Sequence, residues 1–237
     1  MLKISGFSKT YDNKTKAVDH LSLEVTSGDI FAFIGHNGAG KTTTLKAVTG
    51  ILPFEEGKIE IDGLDIREKP LAVKQRIAYI PDEPLLYDTL TGAQYLNFIA
   101  DIFKVDTPTR RKKIEQYSQL LTMKHQLNDP IKSYSHGMKQ KLQIISAFVH
   151  APRLMVMDEP FVGLDPRAAF TLKQIMRDFC NEGGAIFFST HILEVAEKLC
   201  DKVAIIKNGK LVASGTMDAV KGDNSLEEVF LELTDND

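Results

Sequence analysis

Residues 30–48 constrain this chain more than any other stretch. Ile30-Phe31-Ala32-Phe33-Ile34 reads as a buried strand. Gly35-His36-Asn37-Gly38-Ala39-Gly40-Lys41-Thr42 follows and fits the pattern G-x-x-x-x-G-K-[ST], and a helix-prone run comes next. Strand, glycine-rich turn and helix in that order are what a phosphate-binding loop requires. Gly35, Gly38 and Gly40 let the backbone curl so that successive N–H groups point inward at an anion. The helix beginning near Lys41 adds its positive N-terminal end. Lys41 can reach the β- and γ-phosphates of a nucleotide, and Thr42 can place a hydroxyl on Mg²⁺. A glycine-rich turn with a surface lysine is the plainer alternative, but it gives no reason for the strand before and the helix after.

At 237 residues, 43% of them hydrophobic, the chain is one large domain or two small ones with enough apolar material for a core. A formal charge of −3 argues against a nucleic-acid binder held mainly by phosphate neutralisation. Cys180 and Cys200 form no C-x-x-C pair and fall in helix-like segments, so buried, idle thiols are expected. Such thiols suit a reducing compartment. The histidines show no ligand spacing. The N-terminal residues carry no signal-peptide pattern, and no apolar run approaches the roughly 20 residues needed to span a bilayer. A soluble protein, or one that reaches a membrane only through a partner, is the expectation.

Residues 2–7 and 21–25 read as strands. Leu21, Leu23 and Val25 alternate with Ser22 and Glu24, so one face is wet. The turn-rich stretch between them begins at Tyr11, either a strand-end aromatic or a stacking platform for a base. Residues 59–61 and 77–80 are further strands. The second is stopped by Pro81-Asp82-Glu83-Pro84, a constrained loop whose carboxylates either serve a connector or face a bound metal. From about Thr91 to His150 the period becomes helical. Thr91 and Gln94 form a candidate capping box. The basic run 110–113 is expected to be a solvated helix face. After a Gly/Ser turn at 133–138, a helix is expected from Met138. Strands then alternate with helices: 154–157, 185–189 and 203–206 are buried strands, and 166–180 is a helix. Asn208-Gly209 makes a hairpin, and Ser225 can cap a last short helix. This alternation indicates a mainly parallel α/β sheet with a helical lobe inserted.

In a parallel sheet the ligand lies beyond the carboxyl ends of the strands. Ile34 and Met157 both end there, so Asp158 can face Thr42 across a shared metal. Glu159, one residue on, can accept a proton from an attacking water. Taken alone, Asp158-Glu159 is an acidic helix start and His191, after its own strand, a structural histidine. Together with the phosphate loop they favour chemistry, with His191 donating to a γ-phosphate.

The chain resembles the ATP-binding subunits of ABC transporters over essentially its whole length. Gly35 to Thr42 matches Walker A, and Ser135-His136-Gly137-Met138-Lys139-Gln140 the signature usually written Leu-Ser-Gly-Gly-Gln. Leu154 to Glu159 matches Walker B, Gly163-Leu164-Asp165 the D-loop, and His191 the switch histidine, all in family order. The resemblance implies a P-loop NTPase fold in one domain, 1–237. Its core (1–87 and 151–215) would include an N-terminal antiparallel β subdomain, with a helical subdomain at 88–150 and a short tail at 216–237. It implies ATP and Mg²⁺, with Glu159 and His191 catalytic. Tyr11 would stack on adenine, and Gly35, His36, Asn37, Gly38, Ala39, Gly40, Lys41, Thr42 and Thr43 would hold the phosphates. Thr42, Asp158 and Asp82 would face the metal.

It also implies head-to-tail pairing of two such subunits, identical or different, with Ser135 and Gly137 gripping the γ-phosphate in trans. Membrane permease subunits would dock in a groove including residues 81–87, which places the chain at the cytoplasmic side of the cell membrane. No nucleic acid is expected. Leu90 to Phe98 and the ending Ser225-Leu226-Glu227-Glu228-Val229-Phe230 resemble bacterial export-type subunits. Two positions depart from the family pattern: Asp82 stands where glutamine is usual, and His136 replaces a glycine. A soluble ABC ATPase acting on ribosomes or DNA is the second reading. The single cassette, with no coiled coil between Thr44 and Ser133, disfavours it, and a small-molecule kinase leaves the signature unexplained.

Overall fold

A computed structural model describes residues 1–11 and 15–235. The chain opens with β1 (Leu2–Tyr11) and β2 (Thr15–Val25), then β3 (Ile30–Ile34) and α1 (Lys41–Val48). β4 (Glu56–Ile61), β5 (Leu64–Asp65), α2 (Pro70–Lys74) and β6 (Ile77–Ile80) follow. Next come the helices α3 (Gly92–Ile102), α4 (Thr107–Leu120) and α5 (His136–Val149). The rest is β7 (Leu154–Asp158), α6 (Pro166–Asn181), β8 (Ala185–Thr190), α7 (Leu193–Leu199), β9 (Lys202–Lys207), β10 (Lys210–Thr216), α8 (Met217–Lys221) and α9 (Leu226–Asp235).

Two sheets result. One is antiparallel, in the order β2-β1-β4-β5; the other runs β10-β9-β3-β8-β7-β6, parallel except for its β10 edge. β3 is buried on both faces. Phe31 and Phe33 point into the core shared with the antiparallel sheet, while Ile30, Ala32 and Ile34 point into the core beneath the helices. An unbroken apolar run is what such a central strand needs.

β1 and β2 are longer than periodicity suggests. Gly6 and His20 take positive φ, +59° and +52°, and the β1–β2 register shifts between Ile4 and Phe7 and again beyond it. Bulges of this kind let a strand continue while its in–out alternation breaks, so residues 2–7 and 21–25 were the only parts legible as strand. Residues 12–14 of the turn lie outside the described residues.

The capping box forms: Gln94 N donates to Thr91 Oγ1 at 3.2 Å, and Thr91 N to Gln94 Oε1 at 2.9 Å. A cap of this type is worth about 1 kcal/mol. In the basic run, Arg110 is tied to Asp101 at 2.5 Å and to the Val105 carbonyl, and Lys113 reaches the Phe148 carbonyl. Much of this charge is internal fastening as well as solvated surface. Cys180 and Cys200 are buried free thiols, and burial pushes Cys180 up to about 12. Within the stretch expected as a short tail, the helix after Ser225 packs on the main core, where Leu226 and Phe230 of α9 are buried.

Candidate nucleotide site

The loop after β3 closes tightly. A methyl group on Gly35 would come within 2.5 Å of the Ile206 carbonyl, and one on Gly40 (φ +109°) within 2.5 Å of the Ala17 carbonyl. Only glycine permits both approaches. Lys41 begins α1 with its side chain buried, and its ammonium donates to the carbonyls of Gly35 at 2.6 Å and His36 at 3.2 Å. Burial lowers its pKa, and the nearby Glu159 and Asp158 carboxylates oppose that shift. An ammonium so held is a fixed positive charge under the loop.

The sheet brings the second half of the site alongside. Thr42 Oγ1 donates to Asp158 Oδ2 at 2.7 Å, and Ser189 Oγ donates to Asp158 Oδ1. Ser189 has this role because the β7–β8 register sets it opposite Asp158. Sequence reasoning missed it; a polar residue at the end of an otherwise apolar strand was the only signal. Glu159 sits at φ +47°, an uncommon conformation for a residue with a side chain. Its N–H is held by Ser189, and its carboxylate is 2.9 Å from His191 Nδ1 and 3.4 Å from the His191 backbone nitrogen. His191, at the end of β8, thus meets Glu159 directly.

A cavity of about 190 Å³ lies between these groups, lined by Asn37, Gly38, Gly40, Lys41, Thr42, Thr43, Asp82, Asp158 and Glu159. His36 and Ala39 complete the loop behind it, with Ala39 N donating to the His36 carbonyl at 3.1 Å. Tyr11 is outside the cavity, 40% exposed, its hydroxyl 3.4 Å from Thr43 Oγ1. Among the described residues no cluster of three or more His, Cys, Asp or Glu could cage a metal. The oxygen donors of Thr42 and Asp158 suit a hard cation that takes its other ligands from substrate phosphates and water, as Mg²⁺ does.

Ser135 and Gly137 do not line this cavity. Ser135 caps α5, accepting the Met138 N–H at 3.3 Å, so the helix starts at His136, two residues earlier than expected. The cap side chain ends the extended segment before the first apolar position. His136 lies against Gly163: a methyl group there would be 2.6 Å from His136 Cδ2. The bulk that replaces a glycine at 136 is taken up by the glycine at 163. Lys141 adds an ion pair to Asp165 at 2.7 Å, holding that carboxyl below its usual range and tying α5 to the loop before α6. Gly163→Ala is expected to cost about 1–3 kcal/mol, from the clash and from φ +79°. His136→Gly in the same chain should return the clash part and leave the backbone cost. Urea denaturation of the single and double variants measures both; equal stabilities would contradict the contact.

Parallel sheet, phosphate loop and strand-end Asp-Glu define a P-loop nucleotide hydrolase. The family model described as ABC transporter matches residues 18–162. The chain is 34% identical to the ABC-type transporter ATP-binding protein EcsA of Bacillus subtilis, over 100% of this chain and 98% of that protein. It is 34% identical to the bacitracin transport ATP-binding protein BcrA of Bacillus licheniformis, over 94% of this chain and 72% of that one. A solved ATP-binding subunit of an ABC transporter superposes with TM-score 0.95 at 33% identity, covering 98% of this chain and 99% of the other. The chain belongs to the ABC transporter ATP-binding family and is an ATPase. No helix among the described residues is long and apolar enough to cross a membrane.

Proposed function

We propose that the chain pairs head to tail with a second ABC ATPase subunit, hydrolyses Mg-ATP between the two, and drives export through separate membrane subunits from the cytoplasmic side. The observation that carries this reading is the division of the site. The phosphate loop, Asp158 and Glu159 line one cavity, with His191 held against Glu159, while Ser135 and Gly137 are presented elsewhere on the start of α5. A chain that displays the signature away from its own phosphates supplies half of two composite sites. The two subunits then close over ATP because the closed form binds it better, which is the requirement for a nucleotide-driven switch.

Within each site Lys41 and the loop amides hold the β- and γ-phosphates, and Tyr11 offers a ring to the base. The Glu159 carboxylate accepts the proton of the attacking water, and His191 holds that carboxylate in place and adds a donor beside the γ-phosphate. Thr42 and Asp158 would hold Mg²⁺, which would neutralise charge on the phosphate oxygens, and Asp82 lines the same cavity. The likeness to BcrA supports a transport role, and the resemblance of the ending 225–230 to export-type subunits supports the export direction.

The partner surface follows from exposed apolar groups. Leu85, Tyr87, Phe98 and Ile102 are 76%, 57%, 40% and 56% exposed around the loop after β6 and along α3. Beside them a groove of about 330 Å³ between β6, α3 and α5 is lined by Tyr79, Tyr95, Ile99 and Phe103. An apolar patch of this kind marks an interaction site, and this one fits an apolar helical segment of a permease. Tagged Glu159→Gln with Mg-ATP, drawn from native membranes in mild detergent, is expected to bring multi-span proteins with it. Leu85→Glu with Phe98→Glu should abolish that capture while ATP binding persists. Capture of ribosomes or nucleic acid instead, with no membrane protein, would overturn the transport role and leave the ATPase chemistry standing.

A further inference from the structure

The last helix reaches the phosphate loop. α9 carries Leu226, Val229, Phe230 and Leu233 at helical spacing, and these pack on the main core. Phe230 goes one step further: its ring centroid is 4.9 Å from that of His36, inclined at 56°. His36 is part of the cradle, since its carbonyl accepts from both the Lys41 ammonium and the Ala39 N–H. The ring of His36 is otherwise on the exposed outer side of the loop. The same helix is fastened to α7, which follows His191. Glu197 of α7 accepts from the Leu226 N–H at 3.1 Å and from Lys221 Nζ at 3.0 Å, and its carboxyl is held below the usual range by Lys221. α9 therefore bridges the outer turn of the phosphate loop and the helix behind the histidine.

We propose that Phe230 is a positioning residue for nucleotide binding, acting through His36 to hold the outer turn of the phosphate loop. This rests on the ATP-binding reading of that loop. A glycine-rich loop keeps its amides aimed at an anion only while its exposed turn is held, and the order missing before binding is lost from affinity. Phe230 contributes that order from outside the site, so its effect falls on affinity rather than on the chemical step.

The test uses the full chain and a fluorescent ATP analogue with Mg²⁺, read as Kd, beside thermal unfolding and the KM-against-kcat split. Phe230→Leu keeps an apolar side chain in the core but removes the ring from His36. It is expected to keep Tm within a few degrees and to weaken binding about 3- to 10-fold, the size of one aromatic pair. KM should rise and kcat should hold. Phe230→Tyr should restore wild-type Kd. In a His36→Ala chain, which already lacks the pair, Phe230→Leu should change nothing further. Two results overturn the proposal: Kd within twofold of wild type for both Phe230→Leu and His36→Ala, or the same loss from Phe230→Leu with and without His36. Should Phe230→Leu unfold the chain, His36→Ala, at an exposed residue, decides alone: unchanged Kd refutes the contact's role, and a 3- to 10-fold loss supports it. Wild-type protein that binds no ATP analogue would overturn the ATP-binding reading itself, a separate outcome.

Discussion

Glu159→Gln lowers ATP turnover by a factor of about 10²–10⁴, the usual worth of a general base, while ATP-dependent pairing survives. Glutamine has the shape of glutamate and keeps an oxygen for the His191 contact, now 2.9 Å from Nδ1. It removes only the group that can take a proton from water. Glu159 N stays held by Ser189, and the φ of +47° needs no change. The expected pattern is therefore intact nucleotide affinity, a dimer that accumulates with Mg-ATP, and almost no phosphate release. Phosphate release and size-exclusion profiles with and without ATP measure the two halves separately. Turnover within a few-fold of wild type would remove the role given to Glu159. Loss of pairing would mean the carboxylate holds the interface as well.

Lys41→Ala is expected to weaken nucleotide binding by roughly 100-fold or more, since removing one partner of a buried charge interaction costs about 3–5 kcal/mol. In this chain the ammonium is buried and its position is set by two loop carbonyls, Gly35 at 2.6 Å and His36 at 3.2 Å. Alanine withdraws the charge and leaves both carbonyls without that donor. Among the described residues no ion pair holds Lys41, and Glu159 and Asp158 act on it only through their nearby charge, so the loss falls mainly on the phosphates. Titration with a fluorescent ATP analogue gives the answer; an unchanged Kd would refute the cradle. Thermal unfolding of the same protein guards against a folding defect.

The parts of the site carried by one unbroken segment were legible in the sequence. Strand, glycines, Lys41 and Thr42 are consecutive, so local pattern placed them, and Asp158-Glu159, which ends its own apolar run, gained its reading from the phosphate loop in the same chain. Contacts that depend on which strands lie side by side were not legible. Ser189 meets Asp158 only because β8 borders β7, and His191 meets Glu159 for the same reason. The room that His136 needs comes from Gly163 opposite it, a contact between separate segments. The contact of Phe230 with His36 joins residues far apart in sequence, where no periodicity speaks. In the antiparallel sheet the lengths of β1 and β2 were lost for a local reason, the bulges at Gly6 and His20.

The position of β3 has a consequence in time. Its neighbours are β8 and β9, so Ile30 pairs with Ile186, and Phe31 with Lys202. During synthesis the phosphate motif emerges early, but the strand that aims it has nothing to pair with until residues 185–207 have followed. At about 5–20 residues per second that wait is roughly 10–30 seconds. Through it the apolar strand 30–34 must be kept from wrong partners by other means, and the nascent chain offers nucleotide no finished cradle. ATP binding is thus a late event in the life of each molecule, open only to chains whose distant halves have already met.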